Sequence, residues 1–466
     1  MTLRPIFGAL IVLALSASTV SAGVADLIVV NARVRTIDAS RPGADAFAVS
    51  DGRFTFVGSA DEAFKLRGPD TRVIDAAGRT VLPGFNDSHV HLVNVGARLF
   101  AIDSGSERDL IAAVRFRVGF LEKTDWITGG GWTAANLPPR SALDSAAPDN
   151  PVLLYGRDPA SAAVNSAALK RAGIDSPNYP ISGAELERVR RFVPPAPDKA
   201  SVLQAAMRYA AAFGVTSVQD VSSDDLGDEL RRLEESGKLL LRVYDCVGID
   251  SPPPNVDRRP DSMIRTGCVK HYSEGDRTEI PILSRRLGAL DRRGVQLLLH
   301  AIGPRANAAA LSVFERITQT NGKSDRRLRI EHAHNFAPRD LVRFTRIPVI
   351  ASMQPALFDN GSADYSPMFS LMKAARVALA FGSDASMIPI DPMSGIRSAT
   401  RDGGLDFENA VRAYTLGAAY AEFQERDKGS VTRGKLADFV ILNDGATGIG
   451  SVFVGGRLVY EVPVMR

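Results

Sequence analysis

His89 and His91 stand one residue apart in "VLPGFNDSHVHL", with Asp87 two positions before the first. Side chains at i and i+2 share a face when the chain is extended and diverge on a helix. The run Thr80 to Leu82, the breaker pair Pro83-Gly84 and then Phe85 suit a strand leaving a turn. The spacing therefore predicts two imidazoles aimed at one point, a common protein offer to zinc. Zinc needs at least a third ligand, usually from far away in sequence. The alternative is a surface strand that happens to carry two histidines.

Ligands of this kind need strands to deliver them. From Phe85 onward, eight apolar runs each end in a polar or ionisable residue: "GFNDSHVH", "GVTSVQD", "LLRVYDCV", "GCVKHY", "VQLLLHAIG", "RLRIEHAH", "PVIASMQ" and "VALAFGSD". Strand alternating with helix implies parallel strands and crossover helices, and eight strands close a (β/α)8 TIM barrel. An insertion of about residues 101–200 follows the first run and contains strand-like "DWITGGGW" and "PVLLYGRD". It is expected over the barrel mouth, unless those two strands belong to the barrel. Short alternating runs before Pro83, broken by Asp-Gly and Gly-Arg turns, read as antiparallel hairpins, and the texture returns after "GKLADFVILND". The predicted class is α/β: a barrel over 81–430 and a small composite β-sandwich formed by both termini, 23–80 and 431–466.

In such barrels the chemistry sits at the C-terminal ends of the strands. That rule brings His89 and His91 (first strand), Lys270 (fourth), His300 (fifth), His332 (sixth) and Asp384 (eighth) to one mouth. The chain has 6 histidines, and four of them fall at these ends. His271 follows Lys270 and so faces the other way, as a packing residue. His334 is read as support behind the ligands. A protonated lysine cannot bind a metal cation, so Lys270 is either ion-paired with Asp384 or Glu274, or it reacts with carbon dioxide to give a carbamate. The two carbamate oxygens would bridge two metals about 3.5–4 Å apart. Both readings stay open on the residues alone.

Other residues near these runs receive supporting roles. Asp87 is in phase with the histidine pair but one layer deeper, and is assigned a hydrogen bond that orients a ligating histidine. Glu331 is expected to point away from His332, towards the helices. Trp132 and Tyr155 are core residues or pocket lining. Asp438 is expected to cap or pair locally, without chemistry.

Composition sets the outer limits. Hydrophobic residues at 45% and charged residues at 23% fit a soluble globular chain. A net charge of +3, with no long Lys/Arg block, argues against a nucleic-acid partner. Residues 1–22, with one Arg, an apolar core from Ile6 to Leu15 and small residues ending Val20-Ser21-Ala22, have the layout of a secretory signal peptide. The mature protein is then expected in the periplasm or outside the cell, with no membrane attachment after cleavage. Cys246 and Cys268 lie in apolar strand-like runs and are expected as buried thiols rather than as a disulfide.

The set "PGFNDSHVH", "VKHYSEG", "LLHAIG", "RIEHAH" and "AFGSDAS", followed by "GSVTRGKLADFVIL", resembles the amidohydrolase superfamily. It is most similar to its amidohydrolase 3, YtcJ-like branch, which includes N-substituted formamide deformylases. The resemblance covers the chain from Asp26 to the end. It implies one or two divalent metals, zinc first, held by His89, His91, Lys270, His300, His332 and Asp384, with Lys270 carbamylated. The chain departs from the family pattern at Asp158-Pro159-Ala160, Glu274-Gly275, Pro304 and Ala356, all outside the ligand set. These departures bear on which substrate is taken.

The implied reaction is hydrolysis of an amide-type C–N bond in a small molecule by metal-activated hydroxide, with Asp384 as general base and then acid. A mononuclear deaminase or other C–N hydrolase, with Lys270 unmodified, is the second reading. A non-catalytic ligand-binding barrel is the third, although a binder has no need of Asp384.

Overall fold

The computed structural model describes residues 23–102, 109–360, 366–385 and 389–462. The predicted leader, 1–22, lies outside the described residues.

The eight runs read from the sequence are the eight strands of one parallel sheet, adjacent in chain order. They are β1 Phe85–Val90, β2 Val215–Ser223, β3 Arg242–Gly248, β4 Ile264–Tyr272, β5 Gln296–Ile302, β6 Leu328–His334, β7 Val349–Met353 and β8 Ala378–Phe381. Every position of β1 and of β6 is buried, as a strand covered by helices on one side and facing a packed interior on the other requires. The chain leaving β8 closes the sheet against β1: Val90 bridges Ala385, the Asp384 N–H donates to His89 O at 2.7 Å, and the His91 N–H donates to Ala385 O at 2.8 Å. Gly382 permits that approach. A Cβ there would lie 2.5 Å from His89 N and 2.7 Å from Asp87 Oδ1.

The insertion builds its own five-stranded sheet, in which Ile127–Trp132 pairs in parallel with Val152–Gly156, so neither strand enters the barrel. Its core includes Trp126, Leu153, Leu169 and Leu186. Trp132 Nε1 donates to Leu154 O at 2.7 Å, and Arg190 Nε donates to the Tyr155 hydroxyl at 3.2 Å. Both aromatic residues are therefore engaged within the insertion.

Strands from both ends of the chain share a six-stranded sheet, in which Thr80–Pro83 pairs with Arg33–Arg35 on one side and Phe439–Leu442 on the other. A four-stranded sheet packs on it through Phe47, Phe54, Phe439 and Phe453. The expected antiparallel hairpin exists at Ala46–Ser50 and Arg53–Gly58, but Leu27–Val30 runs parallel to Arg72–Asp75. Asp438 caps the Gly455 N–H of the neighbouring hairpin turn at 2.8 Å, as expected, and also accepts from Arg242 Nε at 2.8 Å and Nη2 at 3.2 Å, joining the β domain to β3.

The cysteine expectation is overturned. Cys246 on β3 and Cys268 on β4 are register partners and form a disulfide, fully buried among Val221, Tyr244 and Leu298.

Candidate metal centre

Three ligand atoms converge where β1 meets the chain beyond β8. His89 Nε2 and His91 Nε2 each lie 3.3 Å from Asp384 Oδ1, and the three residues offer donor atoms all within 4.8 Å of one another. Asp87 assists through the backbone. Its Oδ1 accepts from the N–H of Ser383 at 2.9 Å and of His89 at 3.1 Å, tying together the two segments that carry the ligands. Burial pushes its carboxyl up to about 6 against those hydrogen bonds.

The imidazole of His89 is oriented by Glu331, whose Oε2 lies 2.6 Å from Nδ1. Burial pushes the Glu331 carboxyl up, but the Arg329 guanidinium and the His89 hydrogen bond outweigh it and hold the carboxyl well below its usual range. A carboxylate only accepts, so Nδ1 carries the proton and the Nε2 lone pair faces Asp384. His332 is held in the same way, with Nδ1 2.8 Å from Gln354 Oε1. The expectation for Glu331 fails for a local reason. His332 has φ 72°, which breaks strand alternation, so Glu331 and His332 both face the barrel interior. Arg329 is buried beneath, donating to Glu331 Oε1 at 2.8 Å and Ser88 O at 2.7 Å.

The remaining predicted ligands line the same interior outside the tight set of three. The His332 ring centroid lies 4.9 Å from that of His89 and 4.4 Å from that of His300. Lys270 is 1% exposed, and its Nζ has no hydrogen-bond partner among the described residues; the same holds for His300 Nδ1. Burial, partly offset by the charges of Glu331 and Asp384, brings the Lys270 ammonium down to about 8. Burial and the positive charge of Lys270 bring His300 to about 4. Burial and the charges of His89 and Lys270 bring His332 to about 2. These imidazoles are neutral at pH 7, as ligands must be. Glu274 is exposed and His271 half-buried, while His334 is buried with its ring 5.6 Å from that of His332.

The donor set fits a divalent ion. Two atoms each about 2.1 Å from a tetrahedral centre lie about 3.4 Å apart, close to the spacing found between each histidine and Asp384. Two imidazoles and a carboxylate that converge at the strand ends, with two further imidazoles alongside, are the donors of a metal-dependent hydrolase carried on a TIM barrel.

Residues 72–452 match the family described as "Amidohydrolase family". The chain belongs to that family of amidohydrolases, enzymes that act on C–N bonds. It is 30% identical to Protein LONG AFTER FAR-RED 3 of Arabidopsis thaliana, over 94% of this chain and 92% of that protein. It is 24% identical to Putative amidohydrolase YtcJ of Bacillus subtilis (90% and 96% covered) and 25% identical to N-substituted formamide deformylase of Arthrobacter pascens (94% and 98% covered). The fold matches an uncharacterized metal-dependent hydrolase from Pyrococcus furiosus with TM-score 0.62 and 22% identity, covering 89% of this chain and 98% of that one. The YtcJ-like branch read from the sequence is the branch these relatives define.

Proposed function

We propose that the protein hydrolyses an amide-type C–N bond of a small molecule, with zinc as its metal and Asp384 as the group that moves the proton. The observation that carries this reading is the placement of His89 Nε2 and His91 Nε2, each 3.3 Å from Asp384 Oδ1. The similarity to a protein named N-substituted formamide deformylase supports the choice of bond.

His89, His91 and Asp384 would hold a divalent ion, which when bound would supply Lewis acidity to lower the pKa of a water towards 7 and to polarise a carbonyl. Asp384 accepts the proton released by the attacking water and returns it to the departing nitrogen as the C–N bond breaks. Burial pushes the Asp384 carboxyl up, but the neighbouring His89 and His91 outweigh it and hold the carboxyl below its usual range. Glu331 and Gln354 fix the imidazoles of His89 and His332. Lys270, buried and without a hydrogen-bond partner among the described residues, reacts as its neutral amine: the nitrogen lone pair forms a bond to carbon dioxide, a proton leaves to water, and a carbamate replaces the ammonium.

A mononuclear site, which needs no carbamate on Lys270, is favoured by one observation: among the described His, Cys, Asp and Glu side chains, the tight donor set is His89, His91 and Asp384, without His300 or His332. Lys270→Ala separates the two forms. It abolishes activity if the carbamate is needed and leaves it if one ion suffices. The Cys246–Cys268 disulfide supports export to an oxidising compartment, in keeping with the leader.

The test is amine release from a panel of N-acyl and N-formyl amines, before chelation, after it, and after zinc is restored. The reading expects release that stops on chelation and returns with zinc. Release that ignores the chelator, or a panel untouched by the zinc-loaded enzyme, contradicts it.

A further inference from the structure

Beside and beyond the site residues of β4 and β5, the barrel mouth carries two exposed apolar side chains. Tyr272 follows Lys270 by two positions on β4, and Ile302 follows His300 by two on β5, so each shares the face of a site residue one step nearer the mouth. Strand register sets Tyr272 beside His300, with ring centroids 5.1 Å apart and planes 35° apart. Lys270 Nζ lies 5.1 Å from the centre of the same tyrosine ring. The ring thus lies against two site groups. The residue is nevertheless 55% exposed and Ile302 is 49% exposed, above a lysine that is 1% exposed.

A single exposed apolar side chain needs no explanation. Two of them on adjacent strands, Tyr272 level with His300 and Ile302 one step nearer the mouth, form a lining that a bound molecule would cover. We propose that Tyr272 and Ile302 are the specificity surface of the site, receiving a bulky apolar group, aryl or branched alkyl, carried beside the scissile C–N bond of a neutral amide. This rests on the amide-hydrolase reading above. An aromatic group stacks on the outer side of Tyr272 at ordinary ring separations. A charged group in the same place would give up its water against Ile302 with nothing to replace it.

The experiment compares the zinc-loaded enzyme on N-formyl and N-acetyl derivatives of methylamine, isobutylamine and phenethylamine. Binding of free phenethylamine is followed in parallel by saturation-transfer NMR. The expected kcat/KM for the phenethyl amides exceeds that for the methyl amides by about tenfold or more, mainly through KM. Tyr272→Ala is expected to cut that ratio by about tenfold, and Tyr272→Phe to retain it. Ile302→Ala reads the same ratio from the neighbouring strand should Tyr272→Ala fail to fold. A wild-type ratio near one, or a ratio preserved in the alanine variants, overturns the proposal. If the wild type cleaves no amide, the amide reading fails and the NMR arm decides the surface. Phenethylamine bound by wild type and lost in the alanine variants supports it, and no binding overturns it.

Discussion

Glu331 Oε2 lies 2.6 Å from His89 Nδ1, and that contact determines which nitrogen of the ring is left for an ion. Glu331→Gln keeps the shape but removes the charge that fixes the tautomer. Metal affinity is expected to fall about 10–100-fold, as it does when such orienting partners are lost. A chelator-competition titration measures it, and equal affinities in variant and wild type would refute the role given to Glu331.

Asp384→Asn removes the proton carrier while preserving the side-chain outline. A loss in kcat of about 10²–10⁴ is expected, the usual contribution of a positioned acid/base group. Steady-state kinetics at saturating metal provide the check, and a variant retaining more than a tenth of wild-type kcat would exclude Asp384 from proton transfer.

Cys246 and Cys268 are 22 positions apart in sequence. Closing a loop of that length stabilises by about 3 kcal/mol in the chain-entropy model. The Cys246→Ala, Cys268→Ala double variant should therefore unfold at a lower denaturant concentration, by an amount that matches wild type measured under reducing conditions. Equal midpoints for oxidised and reduced wild type would show that the bridge contributes nothing.

Asp245, buried on β3, has its carboxyl pushed up to about 8, first by burial and then by the neighbouring charge of Asp220. Between the ordinary aspartate value and that point the folded state holds a proton that the unfolded chain has released, so stability is fully present at low pH and is lost as pH rises towards 8. Asp245→Asn is expected to flatten this decline and to be more stable than wild type at pH 8. Denaturant midpoints measured from pH 5 to 8 test it, and parallel pH profiles for the two proteins would contradict it.

The barrel was legible because parallel strands buried on both faces read as continuous apolar runs, and each run ended in the residue the mouth required. His89, His91 and Asp384 followed from that single rule, although Asp384 joins the others only because Gly382 lets the chain pass close to β1. Glu331 was not legible, because nothing in "RIEHAH" announces a left-handed histidine backbone that turns two consecutive side chains inward. Gln354 was within reach, since it is the polar residue that ends the seventh run, just past β7. The disulfide was hidden by a register shift between Asp245 and Cys246, which decides that the two cysteines face each other across β3 and β4.

The most direct test of the metal centre is the metal content of the purified protein beside that of a His89→Ala, His91→Ala double variant, both expressed with zinc and exhaustively dialysed. At least one equivalent of divalent metal is expected in the wild type, and essentially none in a variant shown by circular dichroism to be folded. A wild type that holds no metal, or a folded variant that keeps the full complement, would contradict the placement of the ion between His89, His91 and Asp384.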